Sequence, residues 1–507
     1  MSGAGDGYEA EERRRRLAKL DALRAGGTDP YPVRYDRTHT AAEVHEHWDR
    51  VEAGAETNDT VRVAGRLLLI RRQGKLTFAT LRDGTASIQL FVSDAAIGED
   101  GHHRFDDLDR GDWVGAEGTV LRTRRGELSV KVASFELLAK ALRPLPEKWH
   151  GLADVDTRFR MRYVDLIAND DARRIFETRF AVLAAIRAFF AERGYVEVET
   201  PVLHTQAGGA TARPFRTYHE ALDMPLSLRV ALELHLKRLL VGGFERVFEI
   251  GRVFRNEGLS TRHNPEFTML ECYEAFSDYT DIARLTEELV AACARAATGA
   301  TSVTVADGPT LELAPPWPRR PMLDLIREHA GVAVHPSQPA AELAAVCDGL
   351  GVAHEPGWGP GKLVLELYEK TVEPHLVGPV FVLDYPREVS PLARVHRDDP
   401  TLVERFEAVV LGRELANAFS ELNDPLDQQA RFEDQARLAA AGDEEAHGVD
   451  EDYVRALEYG LPPSGGLGIG VDRLVMLIAG VTSIREVLLF PHLRPEADET
   501  GGEGGGR

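Results

Sequence analysis

One stretch constrains this chain more than any other: GRVFRNEGLSTRHNPEFTMLECYEAF, residues 251–276. Two segments of strand character flank a polar loop from Gly258 to Phe267, so the stretch reads as strand, loop, strand. Strand side chains alternate faces, so Arg255 and Glu257 point the same way, as do Glu271 and Tyr273 on the next strand. The loop adds Arg262, His263, Glu266 and Phe267. An arginine, an acid and an aromatic converging on one place suit a bound nucleotide. The guanidinium offers a planar fork to phosphate oxygens, the acid accepts from an exocyclic amine, and the ring stacks on a base. A lone Arg–Glu pair would be only a salt bridge on a solvated hairpin. The whole string favours the nucleotide.

A second constellation is Phe406–Asp424, FEAVVLGRELANAFSELND. Glu407 and Glu414 flank an apolar strand, and Asn417, Phe419 and Glu421 share one strand face. Two carboxylates beside a phosphate site are the usual ligands of Mg²⁺, an ion that keeps waters and bridges phosphates. Glu421 beside Tyr273 makes a pocket for a cationic group; the plain alternative is an edge strand with surface acids. The third is Gly460–Leu474, GLPPSGGLGIGVDRL. Its glycines suggest a dinucleotide fingerprint, but that motif follows a strand, whereas EDYVRALEYG before it is helix-like. The Rossmann reading is rejected. Gly466, Gly468 and Gly470 instead let a ligand approach the backbone, with Arg473 at the start of a helix free to meet a phosphate.

The elements around these segments alternate between helix and strand. A helix is expected from Arg173 to Arg193, with Phe176, Phe180, Leu183, Ile186 and Phe190 at helical spacing and Gly194 as its stop. YVEVETPVL, LSLRVAL, ERVFEIGRVFR, FTMLECYEAF, FEAVVLGRELANAF and GGLGIGVDR read as strands. Several adjoin without crossover helices, which favours an antiparallel sheet over a doubly wound one. From Val61 to about Lys140, alternating segments with turn signals at Gly74, Asp83-Gly84, Gly111 and Gly126 predict a small barrel of the OB type.

At about 150 residues per domain, 507 residues suggest roughly three domains. The expected divisions are a disordered start at 1–12, a helical region at 13–58, the barrel at 59–142, a linker at 143–170, the main α+β domain at 171–495 and a disordered tail at 496–507. A Pro- and Ala-rich stretch, about 303–361, reads as a peripheral helical insertion. Arg13 to Arg16 form either a solvated helix face or a clamp on a nucleic-acid backbone. His102 and His103 are expected at the surface of a polar loop, and Asp443-Glu444-Glu445 in a solvated connection.

Lys+Arg total 60 against 82 Asp+Glu, a net charge of −22, which excludes a protein coated in basic charge. Any nucleic-acid contact must use local patches. Cys272, Cys293 and Cys347 lie far apart with no CxxC pair, against a disulfide scaffold or cysteine zinc site. No apolar run reaches the ~18 residues of a membrane span, and the first eight residues carry no signal-peptide core. A cytoplasmic location is expected.

These residues resemble the class II aminoacyl-tRNA synthetases. FRNEG…RHNPEFT and GGLGIGVDRL resemble motifs two and three, and YVEVETP motif one, which in that class lies at the dimer interface. The wider resemblance is to bacterial lysyl-tRNA synthetases, through LRPLPEKWHGL, VGGFERVFEI, NPEFTMLECYEAF, ANAFSELNDP and GLPPSGGLGIGVDRLVML, from about Arg15 to Pro495. It implies an α+β fold: an N-terminal OB-fold β-barrel followed by a class II catalytic domain built on an antiparallel β-sheet flanked by helices. Activation of L-lysine by ATP to lysyl-adenylate and pyrophosphate is implied, then transfer to the 3′ end of tRNA(Lys), by a homodimer. A paralog activating lysine or an analogue for another acceptor is the alternative.

Roles follow by the same resemblance. Arg255 would bind the α-phosphate and Arg473 the γ-phosphate as the catalytic pair, Phe267 would stack on adenine, and Glu257, His263 and Glu414 would complete the ATP site. Glu407 and Glu414 would hold Mg²⁺. Gly209, Glu233 and Glu271 would surround the lysine α-amino group, Asn417 its carboxylate, and Tyr273 and Glu421 its ε-ammonium, with Phe419 in the same pocket. Arg71, Phe78, Gln89 and Glu127 would meet the anticodon, where an unstacked base stacks on an aromatic. Aspartyl and asparaginyl relatives need a cationic pocket, which Glu421 and Tyr273 oppose. The chain departs from the family at four places: Leu232 for Pro, His235 for Tyr, Ser227 for another Tyr and Leu411 for Gly.

Overall fold

A computed structural model describes residues 3–146, 152, 154–206, 208–210, 212–306, 308–440 and 448–495. The chain divides into two compact units, Met1–Ala153 and Asp154–Arg507. The expected tail at 496–507 and the Asp443–Glu445 run lie outside the described residues.

In the first unit, β1 (Glu56–Gln73), β2 (Leu76–Arg82), β3 (Ser87–Ser93), β4 (Trp113–Arg122) and β5 (Leu128–Ala139) close a barrel in the order β1-β2-β3-β5-β4. Alternation decides what is inside: Val61, Val63, Leu81, Ile88, Leu90, Val130 and Val132 fill the core while their neighbours face out. The start of the chain departs from the expected disorder, because a helix runs from Gly3 to Ala25. Its charges have partners. Arg16 is buried and donates to the carbonyls of Arg110, Ala141 and Arg143 at 3.0–3.1 Å, while Arg15 and Lys19 reach Asp109 at 2.8 and 3.0 Å. Composition counts charges and cannot see who meets them. His102 is likewise buried, not superficial: it sits on the helix Glu99–Asp106 and bonds to Asp94 (2.5 Å) and Thr77 (2.9 Å), leaving only His103 exposed.

The second unit is built on an eight-stranded sheet. Its strands are β6 (Val196–Glu197), β10 (Arg246–Phe254), β11 (Glu266–Ala275), β14 (Arg319–Pro321), β15 (Val380–Leu383), β16 (Arg405–Val409), β17 (Glu414–Ser420) and β18 (Ser464–Gly470). Their order is β14-β15-β16-β17-β18-β11-β10-β6, antiparallel except for the two outermost pairs. β7 (Leu203–His204), β8 (Arg216–His219) and β9 (Met224–Leu228) form a small sheet in the order β7-β9-β8. The strand expected over YVEVETPVL is thus split between β6 and β7; Thr200, between them, is held by Glu249 through its N–H (3.1 Å) and hydroxyl (2.7 Å).

Helices Asp170–Glu192 and Tyr279–Thr298 cover one sheet face, where Ile186, Phe190, Ile282 and Leu289 meet Phe248, Leu270, Leu467 and Ile469. Phe180, expected in the apolar stripe, is exposed. Because β11 alternates, Leu270 and Cys272 join that core while Glu271 and Tyr273 face the other side. That division positions the site.

Two expected boundaries move. The linker contains helices Val155–Arg160 and Arg162–Ala168, with buried Arg162 paired to Asp165 at 2.6 Å and donating to the Arg485 carbonyl at 2.8 Å. The insertion is peripheral only in part. A hairpin of β12 (Ser302–Thr304) and β13 (Thr310–Glu312) leads into β14, which pairs with β15, and Leu311, Leu313 and Trp317 belong to the central core. Only its helices Met322–Ala330 and Ala340–Gly349, with Pro360–Thr371 after them, build a separate core. Three residues, Arg-Arg-Pro, are too few for a strand to show as alternation. No helix among the described residues is long and apolar enough to cross a membrane.

Candidate active site

A cavity of about 420 Å³ opens on the sheet face opposite those helices. Its shape follows from the strand register. β18 lies between β11 and β17, with Gly466 flanked by Tyr273 and Phe419, and Gly468 by Glu271 and Asn417. A middle strand without side chains makes a trough walled by its neighbours. Of the three glycines singled out in the sequence, only Gly466 cannot take a Cβ: it would stand 2.0 Å from Glu421 Oε1 and 2.5 Å from Tyr273 Cε1. At Gly468 and Gly470 the nearest atoms are 3.3 and 3.6 Å away, on flexible side chains.

At one end, Arg255 follows β10 directly and its guanidinium lies 5.1 Å from the centre of the Phe267 ring. Arg255 opens onto the cavity yet is ringed by protein. That enclosure lowers its pKa, and the charges of Glu414, Glu257 and Glu271 oppose the fall. Arg473, in the first turn of helix Val471–Ala479, donates to the Glu414 carbonyl at 2.8 Å and to its carboxylate at 3.3 Å. His263 is bonded to Ser260 at 3.1 Å, and Ser260 also accepts from the N–H groups of Arg262 and His263, which pins the loop. Glu266 turns away, to His492 at 3.3 Å.

Enclosure and then the charge of Glu414 push Glu407 up to about 7, against the pull of Arg405 at 2.6 Å. Glu373, which sequence reading missed, is pushed up to about 7 by burial and by Glu369 and Glu414. No group of three or more His, Cys, Asp or Glu among the described residues is arranged to hold a metal ion by itself. Two carboxylates that repel one another beside two arginines fit an ion that takes its remaining ligands from water and phosphate.

At the other end, Glu271 is buried, accepts from the Leu232 N–H at 2.9 Å and from the Tyr273 hydroxyl at 3.0 Å, and is held up at about 7 by burial. Leu232 supplies that N–H where the family's proline has none. Gly209, at φ +87°, lies where a Cβ would press on Ala231 at 3.1 Å. Glu233 opens the helix Glu233–Val241 and pairs with Lys237 one turn on. Glu421 is 1% exposed; it lies beneath Gly466 and also pairs with Lys237. Sequence reading missed Lys237, although Glu and Lys at i, i+4 on a helix were there to be read. It also missed Arg405, which joins Asn417 (3.0 Å) to Glu407, and Arg179, whose bonds to Asp472 (2.5 Å) and Thr268 (3.1 Å) fasten the helix bearing Arg473 to β11. His235 packs against His204 with ring centres 4.7 Å apart and planes tilted by 39°, Ser227 pairs across β8–β9 with Arg216, and Leu411 occupies a turn at φ +56°, where glycine is easier.

In the barrel, Arg71 lies opposite Phe78, and Phe78 opposite Phe91, whose rings meet edge-on at 5.4 Å. Gln89 lies opposite Thr80 and bonds to Ser129 at 2.9 Å, and Glu127 is exposed just before β5. Arg71, Phe78 and Phe91 make one row of a half-exposed sheet face; Phe91 was not foreseen.

An antiparallel sheet carrying one arginine after a strand, another after a glycine-rich strand, and a separate OB barrel defines a class II tRNA synthetase. Residues 154–494 match the family described as tRNA synthetases class II (D, K and N), and residues 61–138 match the OB-fold nucleic acid binding domain. The lysine–tRNA ligase of Moorella thermoacetica is 53% identical over 483 residues, 95% of this chain and 98% of the relative. That of Pelotomaculum thermopropionicum is 52% identical over 487 residues (96% and 95%), and that of Gloeobacter violaceus 50% over 496 (97% and 100%). The chain belongs to the lysine–tRNA ligase family of class II synthetases.

Proposed function

We infer that this chain activates L-lysine with ATP to lysyl-adenylate and pyrophosphate and transfers the lysyl group to the 3′ end of tRNA(Lys). One observation carries the reading: a single trough joins a phosphate-binding end, with Arg255 and Arg473, to an end lined by Glu233, Glu271, Tyr273 and Phe419. Phosphate oxygens suit the first and ammonium groups the second. Lysine bound with its α-amino group at Glu233 and Glu271 and its carboxylate at Asn417 directs that carboxylate toward the α-phosphorus of ATP stacked on Phe267. The carboxylate attacks in line and pyrophosphate leaves, with Arg255 and Arg473 stabilising charge spread over the phosphate oxygens. The ribose hydroxyl of tRNA then attacks the aminoacyl carbonyl. No protein nucleophile is required; positioning supplies the rate.

Glu407 and Glu414 would hold Mg²⁺, which would neutralise charge on the ATP phosphates. Arg405 pairs with Glu407 at 2.6 Å. The row Arg71, Phe78 and Phe91 supports anticodon binding by base stacking, with Gln89 and Glu127 at its margin. Exposed Phe180, Val196, Val202 and Leu203, in and near YVEVETP, support a homodimer through that edge. ATP and tRNA are cytoplasmic substrates, and the expected location is the cytoplasm.

The test is ATP–pyrophosphate exchange with the purified protein across the standard amino acids, ornithine and β-lysine. Exchange driven by lysine alone is expected. Exchange with another amine, or with none, overturns the assignment.

A further inference from the structure

We propose that Lys237 determines the specificity of the amino-acid pocket, holding Glu233 and Glu421 as fixed carboxylates and leaving one Glu421 oxygen for the substrate's side-chain ammonium. The inference rests on the lysine reading above and adds a residue to it.

The Lys237 side chain is wholly buried. Its ammonium contacts Glu233 Oε1 and Glu421 Oε2, and lies 5.2 Å from the Phe419 ring centre and 5.9 Å from that of Tyr273. It is therefore recognised by the chemistry proposed for the substrate's own ammonium: carboxylate below, aromatic faces beside. Glu421 Oε1 has no hydrogen-bond partner among the described residues, and it points at Gly466 on the cavity floor, within 2.0 Å of where a Cβ would stand. One oxygen of Glu421 is taken by Lys237. The other waits for a cation.

Charge arithmetic sharpens this. With Glu233, Glu271 and Glu421 all ionised and Lys237 an ammonium, this end carries −2. The α- and ε-ammonium groups of lysine balance it, whereas a neutral side chain leaves one buried charge uncompensated. The other groups facing Lys237 do not alter the sum: Tyr453, from helix Glu451–Glu458, is kept neutral by burial, and Arg405 is committed to Glu407 and Asn417. Two carboxylates face Lys237 and keep it protonated; burial raises both Glu233 and Glu421, and Lys237 opposes that rise. Without it, buried Glu233 and Glu421 would take up protons.

The experiment is lysine-dependent ATP–pyrophosphate exchange by the full-length protein, with lysine KM measured from pH 5.5 to 9 and ATP KM as control. In the wild type, log KM rises toward acid with a slope of one proton, from Glu271. In Lys237→Met or Lys237→Gln, the slope exceeds one and approaches three, lysine KM at pH 7 rises by about tenfold or more, ATP KM stays put, and discrimination against norleucine falls. Lys237→Arg restores the single-proton slope. A neutral variant that folds by circular dichroism and keeps the wild-type slope and discrimination makes Lys237 merely structural and overturns the proposal. If neither neutral variant folds, the wild-type profile decides: one proton upholds it and more than one overturns it. A wild-type enzyme without lysine-dependent exchange overturns the functional reading as well, which separates the two failures.

Discussion

Replacing Leu232 by proline deletes one hydrogen bond to a buried carboxylate, and its consequence can be worked through. Glu271 accepts from the Leu232 N–H at 2.9 Å, and proline has no N–H to offer. A hydrogen bond to a charged acceptor contributes about 1.5–3 kcal/mol, and at 1.36 kcal/mol per pKa unit its loss raises Glu271 by about one to two units. Glu271 already lies at about 7, so the variant titrates near 8–9. On the proposed function, the ionised form is the one that binds the α-ammonium. The acid limb of kcat/KM for lysine therefore moves toward alkali, the loss at pH 7 is about 5- to 50-fold, and activity returns by about pH 9–10. Leu232 sits at φ −99°, some way from the proline optimum near −65°; any misfit from this lowers activity equally at every pH. Leu232→Ala keeps the N–H and is the control. The assay is the pH profile of lysine-dependent pyrophosphate exchange. A folded Leu232→Pro enzyme with an unmoved limb, or a Leu232→Ala limb that moves as far, refutes the reasoning.

Gly466→Ala puts a Cβ 2.0 Å from Glu421 and 2.5 Å from Tyr273; overpacking of about 1–3 kcal/mol raises lysine KM about 5- to 150-fold while ATP KM holds, and an unchanged lysine KM contradicts the trough. Phe78→Ala removes a stacking surface worth about 1–3 kcal/mol per base, so the tRNA KM in aminoacylation rises while tRNA-independent exchange is unaffected; equal loss in both assays argues for damage beyond the barrel. Asp109 pairs with buried Lys140 at 2.7 Å and is held well below the usual carboxylate range by Lys140, Lys19 and Arg15 against burial. Its folded pKa is depressed, so its contribution is present above the unfolded value of about 3.9 and is lost as pH falls toward the folded one. Asp109→Asn should destabilise the first unit by about 3 kcal/mol at neutral pH, and the gap between urea melts of variant and wild type should narrow only as pH falls below about 3.9 toward the folded pKa; a gap independent of pH would falsify this account.

Local chemistry told much from the sequence alone. The alternation that sends Glu271 and Tyr273 to one face, Arg473 after the glycine strand, and the inward rows of the barrel all follow from backbone geometry and are encoded within a few residues. Even Leu232 could be read as a departure, though not that its N–H would serve Glu271. Tertiary structure decided the rest. Packing placed Lys237 against Glu421, tied Arg405 to both Asn417 and Glu407, turned Arg15 and Arg16 of the four-arginine run into anchors, and made Gly466, unlike Gly468 and Gly470, intolerant of a side chain. The physical reason is one of range. Which face a side chain takes is set by its own dihedrals and near neighbours, but what a buried charge meets, and so its protonation and partners, is set by groups that only folding brings together.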